Sequence, residues 1–583
     1  MNASGIDMQR GLLMNVTRAL LISSLLWGLA SSTMMAQHED YSAMEDRDLL
    51  LHLREHREMT HRGIRAPVSV PEDARKCSFG LMSEIAFRLP SMHPSDVAEV
   101  QALLAQPNLQ TSILSKSGRF RVHFDTVGRH TPAMLDASGV RIPGSAFEYA
   151  DSVAAALDHV YNVQIGEIGY DAPPFETGQT AYRIYLLEYN GSYYGETYFT
   201  NPVSVPGAVR PTHACYMQMD NDYREYFSKG LDGMRVTAAH EFHHMVQIGS
   251  YGLWIQDRWM HEMTSTYYEE VVYPEVNDFL IYLRNFMRYP ERSMYAWGSD
   301  GYELVLWPMM LEKRYDRTLM REMWTNMRRH EPIRAMRDAI ASFGGDFSTE
   351  FCDWSKYNYF TASRAERLDP PMYEDAAIFP YMKLHATQEF LAGFARLSGA
   401  PHPLSAQYVR VARGLDSITF AIANVDLEAA MNRGGEGIPF ELEVRETALD
   451  ASWLTLSNGW AYKFTAAAPN ALCLRVLDGG IMITREQRDP FPNPFDPMES
   501  SRMHFPLPRD VTVNRADLAV YTVSMDLVAS KDNLTVMLLD DLGAAVSWDV
   551  MSDDGKPLGT GVYFYVLHYG SETVTGKFAV IAR

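Results

Sequence analysis

The run His240-Glu241-Phe242-His243-His244 constrains this 583-residue chain more than any other stretch. On an α-helix, positions i and i+4 share a face, so His240 and His244 can offer two imidazole nitrogens to one ion. Glu241 stands one residue along, within reach of a water on that ion, which is the arrangement of a zinc hydrolase. The surrounding residues favour a helix. Between 234 and 248 there is no Pro and no internal Gly, and Gly249 stands where a stop is expected. Ala238, Phe242, Met245 and Ile248 fall at core-facing spacing, while the adjoining stripe carries His240, Glu241, His244 and Gln247. Polar groups beside an apolar face need compensation, and a metal supplies it. The competing reading is a solvated helix with incidental histidines. His243 and His261 point off the ligand face and read as polar packing.

Two histidines need a third protein ligand, with a fourth position left to water. Residues 259–270 form a second helical stretch after the turn at 249–252, and Glu262 lies where a helix–turn–helix folding back would bring it to His244. Glu269, two turns on, is the competing ligand, with Glu270 beside it. H-E-x-x-H followed by a glutamate on the next helix resembles the gluzincin arrangement. W-x-x-E with a small residue and a Tyr behind it resembles the corresponding helix of aminopeptidase-type gluzincins. The resemblance implies that His240, His244 and Glu262 bind Zn2+ and that Glu241 is the general base. Gluzincins also place a Tyr at the start of a later helix to stabilise the oxyanion. Residues 301–307 open such a helix, which makes Tyr302 the candidate and Tyr295 the runner-up.

Upstream, residues 119–125 alternate as a half-buried strand, and Phe147, Ala150, Ala154, Leu157 and Tyr161 recur at helical spacing. Residues 182–187 and 214–219 read as further strands. Strand, helix, strand, strand and active helix is the order of a zincin upper lobe, whose edge strand before the active helix pairs with substrate backbone by strand addition. Residues 118–365 resemble a group of secreted bacterial metalloproteases, through F-R-V-H-F-D, Tyr194-Gly195, Asp220-Asn221-Asp222 and T-A-A-H-E-F-H-H.

The chain ends bear on where this chemistry happens. Arg10 and Arg18 precede a short apolar run, a signal-peptide pattern assigned to 1–36 and too short for a membrane span. Residues 37–117 are charged and helix-prone, as in a pro-segment or N-terminal helical cap. Residues 366–487 read as a β-rich accessory domain without a catalytic constellation. After the Pro-rich linker at 489–497, short strands follow at 518–523, 547–549 and 561–567, as in a small β-sandwich. PNPFDP, FPLP, SWD and DG-x(5)-GVYFY resemble the C-terminal Ig-like module of secreted Bacteroidetes-type proteins, similar to a flagellar-hook-capping Ig domain. That resemblance, over 488–583, implies the type IX secretion machinery as a partner. It also implies export through the periplasm of a Gram-negative-type bacterium to the cell surface or medium. Where that family carries D-x-x-G-R, this chain has Thr522-Val523-Ser524-Met525-Asp526.

A hydrophobic share of 46% and a length of 583 residues allow several cores, and a net charge of -21 argues against nucleic acid or an anionic membrane as partner. Cys77, Cys215, Cys352 and Cys473 lack C-x-x-C spacing and are read as no second metal site, with one or two disulfides in an unassigned pairing. The expectation is thus a multidomain α+β protein: a zincin-like metalloprotease domain, the β-rich domain and the Ig-like sandwich. Its function would be a secreted zinc endopeptidase acting on proteins or peptides. The alternatives are a surface adhesion or structural protein that keeps the scaffold, and a zinc aminopeptidase, for which no G-A-M-E-N-like motif is found.

Overall fold

The computed structural model describes residues 41–62, 76–297, 301–368 and 370–581, the last with gaps at 391–392, 414–415, 457–459, 482–489, 491–494, 498–501, 508–513, 540–542 and 571. The signal-peptide reading of 1–36 and most of the Pro-rich linker lie outside the described residues. The protein is mixed α/β with several sheets and divides into two compact units. The first comprises Met1–Trp354 with Pro401–Ala406 and Asn424–Gly437, and the second holds the remaining residues.

The first unit begins with helices α1 (Asp46–Arg62), α2 (Phe79–Arg88) and α3 (Pro94–Leu103). Strands β1 (Thr111–Leu114) and β2 (Phe120–Phe124) follow, then α4 (Ala146–Tyr161) and β3 (Tyr182–Leu187). Next come β4 (Gly195–Val203), β5 (Thr212–Asp220), α5 (Leu231–Val246) and α6 (Arg258–Val272). The sheet runs β1-β2-β3-β5-β4, with β2, β3 and β5 parallel and both edges antiparallel. β5 lies inside the sheet and is buried along nearly its whole length, whereas β4 is the edge.

This corrects the sequence reading, which took the strand before the active helix as the edge and missed β1 and β4. Gly195, Asn201 and Pro202 break the alternation of β4, which hides it from a period-2 pattern. A smaller correction concerns α4, where Phe147 is exposed and the buried face runs through Tyr149, Val153 and Leu157.

The sheet has an apolar layer on each side. α4 and α5 pack against each other, α4 also against β2 and α5 also against β4 and β5. Elsewhere Leu49, Leu53, Leu81, Met82, Ile85 and Val100 from the three N-terminal helices form one cluster with Tyr185, Tyr198 and Tyr216 of the sheet. Each such aliphatic side chain contributes about 2 kcal/mol on burial, so the N-terminal region is docked through a core of its own.

The second unit contains two four-stranded sheets over a shared core that includes Val409, Phe420, Leu442 and Trp460. It also contains a six-stranded antiparallel sheet at the C-terminus. The first strand of that sheet (Met503–Pro506) and the last (Glu572–Val580) bring Phe505 and Phe578 to 5.7 Å, so the sheet curls round a core of its own. Among the described residues no helix is long and apolar enough to cross a membrane.

Candidate metal centre

The active helix starts earlier than the sequence reading and does not stop at Gly249. Beyond Val246 the chain widens into a π-turn, Gln247–Tyr251. Along α5 every residue from Val236 to Val246 is buried. A helix so enclosed must satisfy its polar side chains internally.

His240 and His244 do so with fixed tautomers. His240 Nδ1 lies 2.8 Å from Glu269 Oε1, and His244 Nδ1 lies 2.9 Å from Gln247 Oε1. Each ring therefore donates outward from Nδ1 and turns the lone pair of Nε2 inward. The two Nε2 atoms are 3.1 Å apart, and Glu262 Oε2 lies 3.2 Å from that of His240 and 3.3 Å from that of His244. α6 folds back along α5 and supplies this carboxylate, with Gln247 tying the helices together through His261 O and Thr264 Oγ1 at 2.9 and 3.0 Å.

Three acceptors at these separations call for a proton or a cation between them. Burial alone would neutralise both Glu262 and His240. Instead the neighbouring His244 and His240 hold Glu262 down at about 2, and hydrogen bonds to Glu262 and Glu269 raise His240 to about 9.

The donor set also fits zinc. Tetrahedral zinc with bonds of about 2.0–2.1 Å to nitrogen and oxygen separates its ligand atoms by roughly 3.3 Å. The three separations above fall at that edge length. Glu269, the competing ligand of the sequence reading, stands behind His240 and also pairs with Lys76 at 2.9 Å.

Glu241 faces the same space. Its Oε2 lies 2.8 Å from Thr197 Oγ1 on β4, while among the described residues its buried Oε1 has no hydrogen-bond partner. Burial raises its pKa above the ordinary carboxylate value. Gly195 makes this packing close, since a Cβ there would meet Thr237 Cγ2 at 2.5 Å and Glu241 Cγ at 3.0 Å.

Tyr302 opens a 3-10 turn, Tyr302–Val305, with its ring 5.9 Å from that of His240 and stacked on Tyr282 at 4.9 Å. Gly301 sets that position, because a Cβ would fall 1.9 Å from the carbonyl oxygen of Trp259 on α6. Tyr295 is placed elsewhere, with its hydroxyl donating to Gly434 O at 3.3 Å. His243 and His261 bind Gln164 and Gln247 through Nδ1 and belong to the packing.

One residue of the cluster escaped the sequence reading. Cys77 Sγ lies 3.6 Å from His244 Nε2 and 3.4 and 3.7 Å from the two oxygens of Glu262. Candidate ligand atoms of Cys77, His240, His244 and Glu262 all lie within 4.8 Å of one another. C-x-x-C spacing, the usual sequence mark of a cysteine metal site, is absent from all four cysteines, and the available signal is a single Cys within the 37–117 segment. Cys77 and Cys215 are free thiols, whereas Cys352 and Cys473 are disulfide-bonded.

No protein-family model and no curated protein matches the chain. Among solved structures, the similarity is faint and partial. PorZ, a surface component of the type-IX secretion system of Porphyromonas gingivalis, shows 11% identity and a TM-score of 0.14 over 30% of this chain and 23% of its own. Latent PorU of the same organism shows 14% identity and a TM-score of 0.13 over 25% and 18%. The neural ectodermal development factor IMP-L2 shows 9% identity and 0.09 over 34% and 90%. Similarity at this level carries no argument for fold or function.

Proposed function

We propose that the chain is an exported zinc-dependent metallopeptidase of zincin type. The observation that carries this reading is the convergence of His240 Nε2, His244 Nε2 and Glu262 Oε2 at 3.1–3.3 Å beside Glu241 Oε1, which has no hydrogen-bond partner among the described residues. Zinc held by those three residues would supply a Lewis acid that acidifies a water and polarises a peptide carbonyl.

The protein's own groups do the rest. Thr197 holds one oxygen of Glu241, which leaves the other to take a proton from the attacking water and pass it to the departing amine. Glu269 and Gln247 fix the ring orientations of His240 and His244. Tyr302 brings a phenol to the same space and donates to the oxygen on which negative charge develops. β4, the end strand of the sheet, offers backbone groups to an extended peptide, in the manner of strand addition.

Export rests on the sequence alone, through the signal-peptide pattern and the C-terminal module with its resemblance to type IX sorting domains. The test of activity is casein hydrolysis by the purified protein with bound zinc determined in parallel. Chelator-sensitive cleavage with one zinc per chain supports the peptidase, and a chain that binds no zinc refutes it.

A further inference from the structure

We propose that Cys77 is the fourth ligand of the metal in this chain, and that residues 76–78 occupy the start of the β4 edge that a substrate would use and hold the enzyme latent. This rests on the metallopeptidase reading and adds its regulation.

The distances suit a zinc–sulfur bond. A tetrahedral zinc bonded to sulfur at about 2.3 Å and to nitrogen or oxygen at about 2.0–2.1 Å separates those ligand atoms by roughly 3.6 Å. Cys77 Sγ stands 3.6 Å from His244 Nε2 and 3.4 and 3.7 Å from the Glu262 oxygens. A catalytic zinc keeps one position for water, and here a thiol stands in it.

The backbone is held in place too. Cys77 forms a parallel bridge with Gly195 at the start of the edge strand, and the amides of Tyr194 and Gly195 donate to Lys76 O at 3.0 and 3.4 Å. The N-terminal segment therefore uses the edge that a peptide substrate would need.

The residues flanking Cys77 are also anchored in the site. Lys76 Nζ is buried between Glu269, at 2.9 Å, and Asp278, over the ring of Tyr194. Ser78 Oγ donates to Glu196 on β4. The ring of Phe79 stacks on that of His244 at 4.3 Å and 9°. Cys77 Sγ also lies 3.7 Å from the Tyr302 hydroxyl, so the oxyanion group is engaged as well.

The exchange balances without a redox partner. On closing, the thiol loses its proton to solvent and its thiolate takes the water's place. On opening, water returns to the metal and the thiolate is protonated. Residues 76–78 must leave the β4 edge for this, and hydrolysis of the chain beyond them by a peptidase would make the opening permanent.

The test uses the full-length chain carrying Glu241→Gln, which cannot process itself and keeps Cys77. Zinc-edge X-ray absorption should find one sulfur at about 2.3 Å with nitrogen and oxygen neighbours at about 2.0–2.1 Å. Zinc with no sulfur neighbour would overturn the inference and leave the peptidase reading intact, whereas absence of zinc would sink both. Because residue 77 is unaltered, misfolding of a cysteine variant does not affect this result.

In a second arm, full-length Cys77→Ser is compared with unprocessed wild type. If the thiolate holds the site closed ~99% of the time, casein hydrolysis rises about a hundredfold in the variant at equal zinc content. Equal rates would overturn latency.

Discussion

The carboxylates of the site divide by what each touches, and the division is measurable. Glu241→Gln leaves the three metal-facing atoms in place and removes the base, so zinc should stay while kcat falls about 10²–10⁴-fold. Unchanged kcat in that variant would refute the assigned role. Glu262→Ala should lose most bound zinc, because a two-histidine site lacks its charged ligand. Glu269→Gln should weaken zinc only about 10–100-fold, since Glu269 acts on the metal through His240 Nδ1, and zinc titration separates the two cases. If Glu269→Gln loses the metal and Glu262→Ala keeps it, the ligand assignment is reversed. At this scale the sequence was informative where helix geometry fixed the spacing. His240 and His244 share a face by periodicity, and Glu262 needed only one turn between helices. Cys77 lies 167 residues from His244 and reaches it by a route that no periodicity encodes.

The elements explain how so distant a residue arrives. Strand β4 is the hub, with Glu196 bound by His56 of α1, by Ser78 and by the hydroxyls of Tyr189 and Tyr198. Burial alone would raise the Glu196 carboxyl, but His56 with the Ser78 and Tyr189 hydroxyls more than reverses it and holds it at about 2. A carboxylate lowered in the fold stabilises it fully above its unfolded value near 4.5. That stability is lost as pH falls towards 2. Acid should therefore loosen the docked N-terminal helices over that range, seen as lower amide protection factors in α1 and α2 once the intrinsic pH dependence of exchange is divided out. Protection factors there that do not change between pH 5 and 2 would contradict the assignment. Gly301→Ala should destabilise the first unit by about 1–3 kcal/mol in urea, since the new Cβ meets the Trp259 carbonyl. β2, with its clean alternation, and the apolar runs of β3 and β5 were legible in the sequence. β4 was not, because its Gly195 and Pro202 serve close packing and an edge position rather than a pattern.

Across the whole molecule, the candidate metal cluster and the C-terminal core fall on different stretches of the chain. The C-terminal core, from Phe495 to Val580, includes Phe505, Trp548, Tyr565 and Phe578, and draws on no residue of the site. Removing 488–583 should leave zinc binding and casein hydrolysis intact in purified protein, yet retain the protein in the periplasm of a type IX host. Normal export of the truncated chain would reduce the module to a spacer. The broad organisation into a mixed α/β region and β-rich regions was legible from the change in residue patterning. The joining of 401–406 and 424–437 to the first unit was not, because it is set by tertiary contact rather than local sequence.

The most direct test of the central claim is casein hydrolysis by the Cys77→Ser chain, followed before chelation, after it and after zinc is restored. The account predicts cleavage that stops with the chelator and returns with one zinc per chain. Cleavage that continues without zinc, or a zinc-loaded protein that cuts no peptide bond, would contradict it.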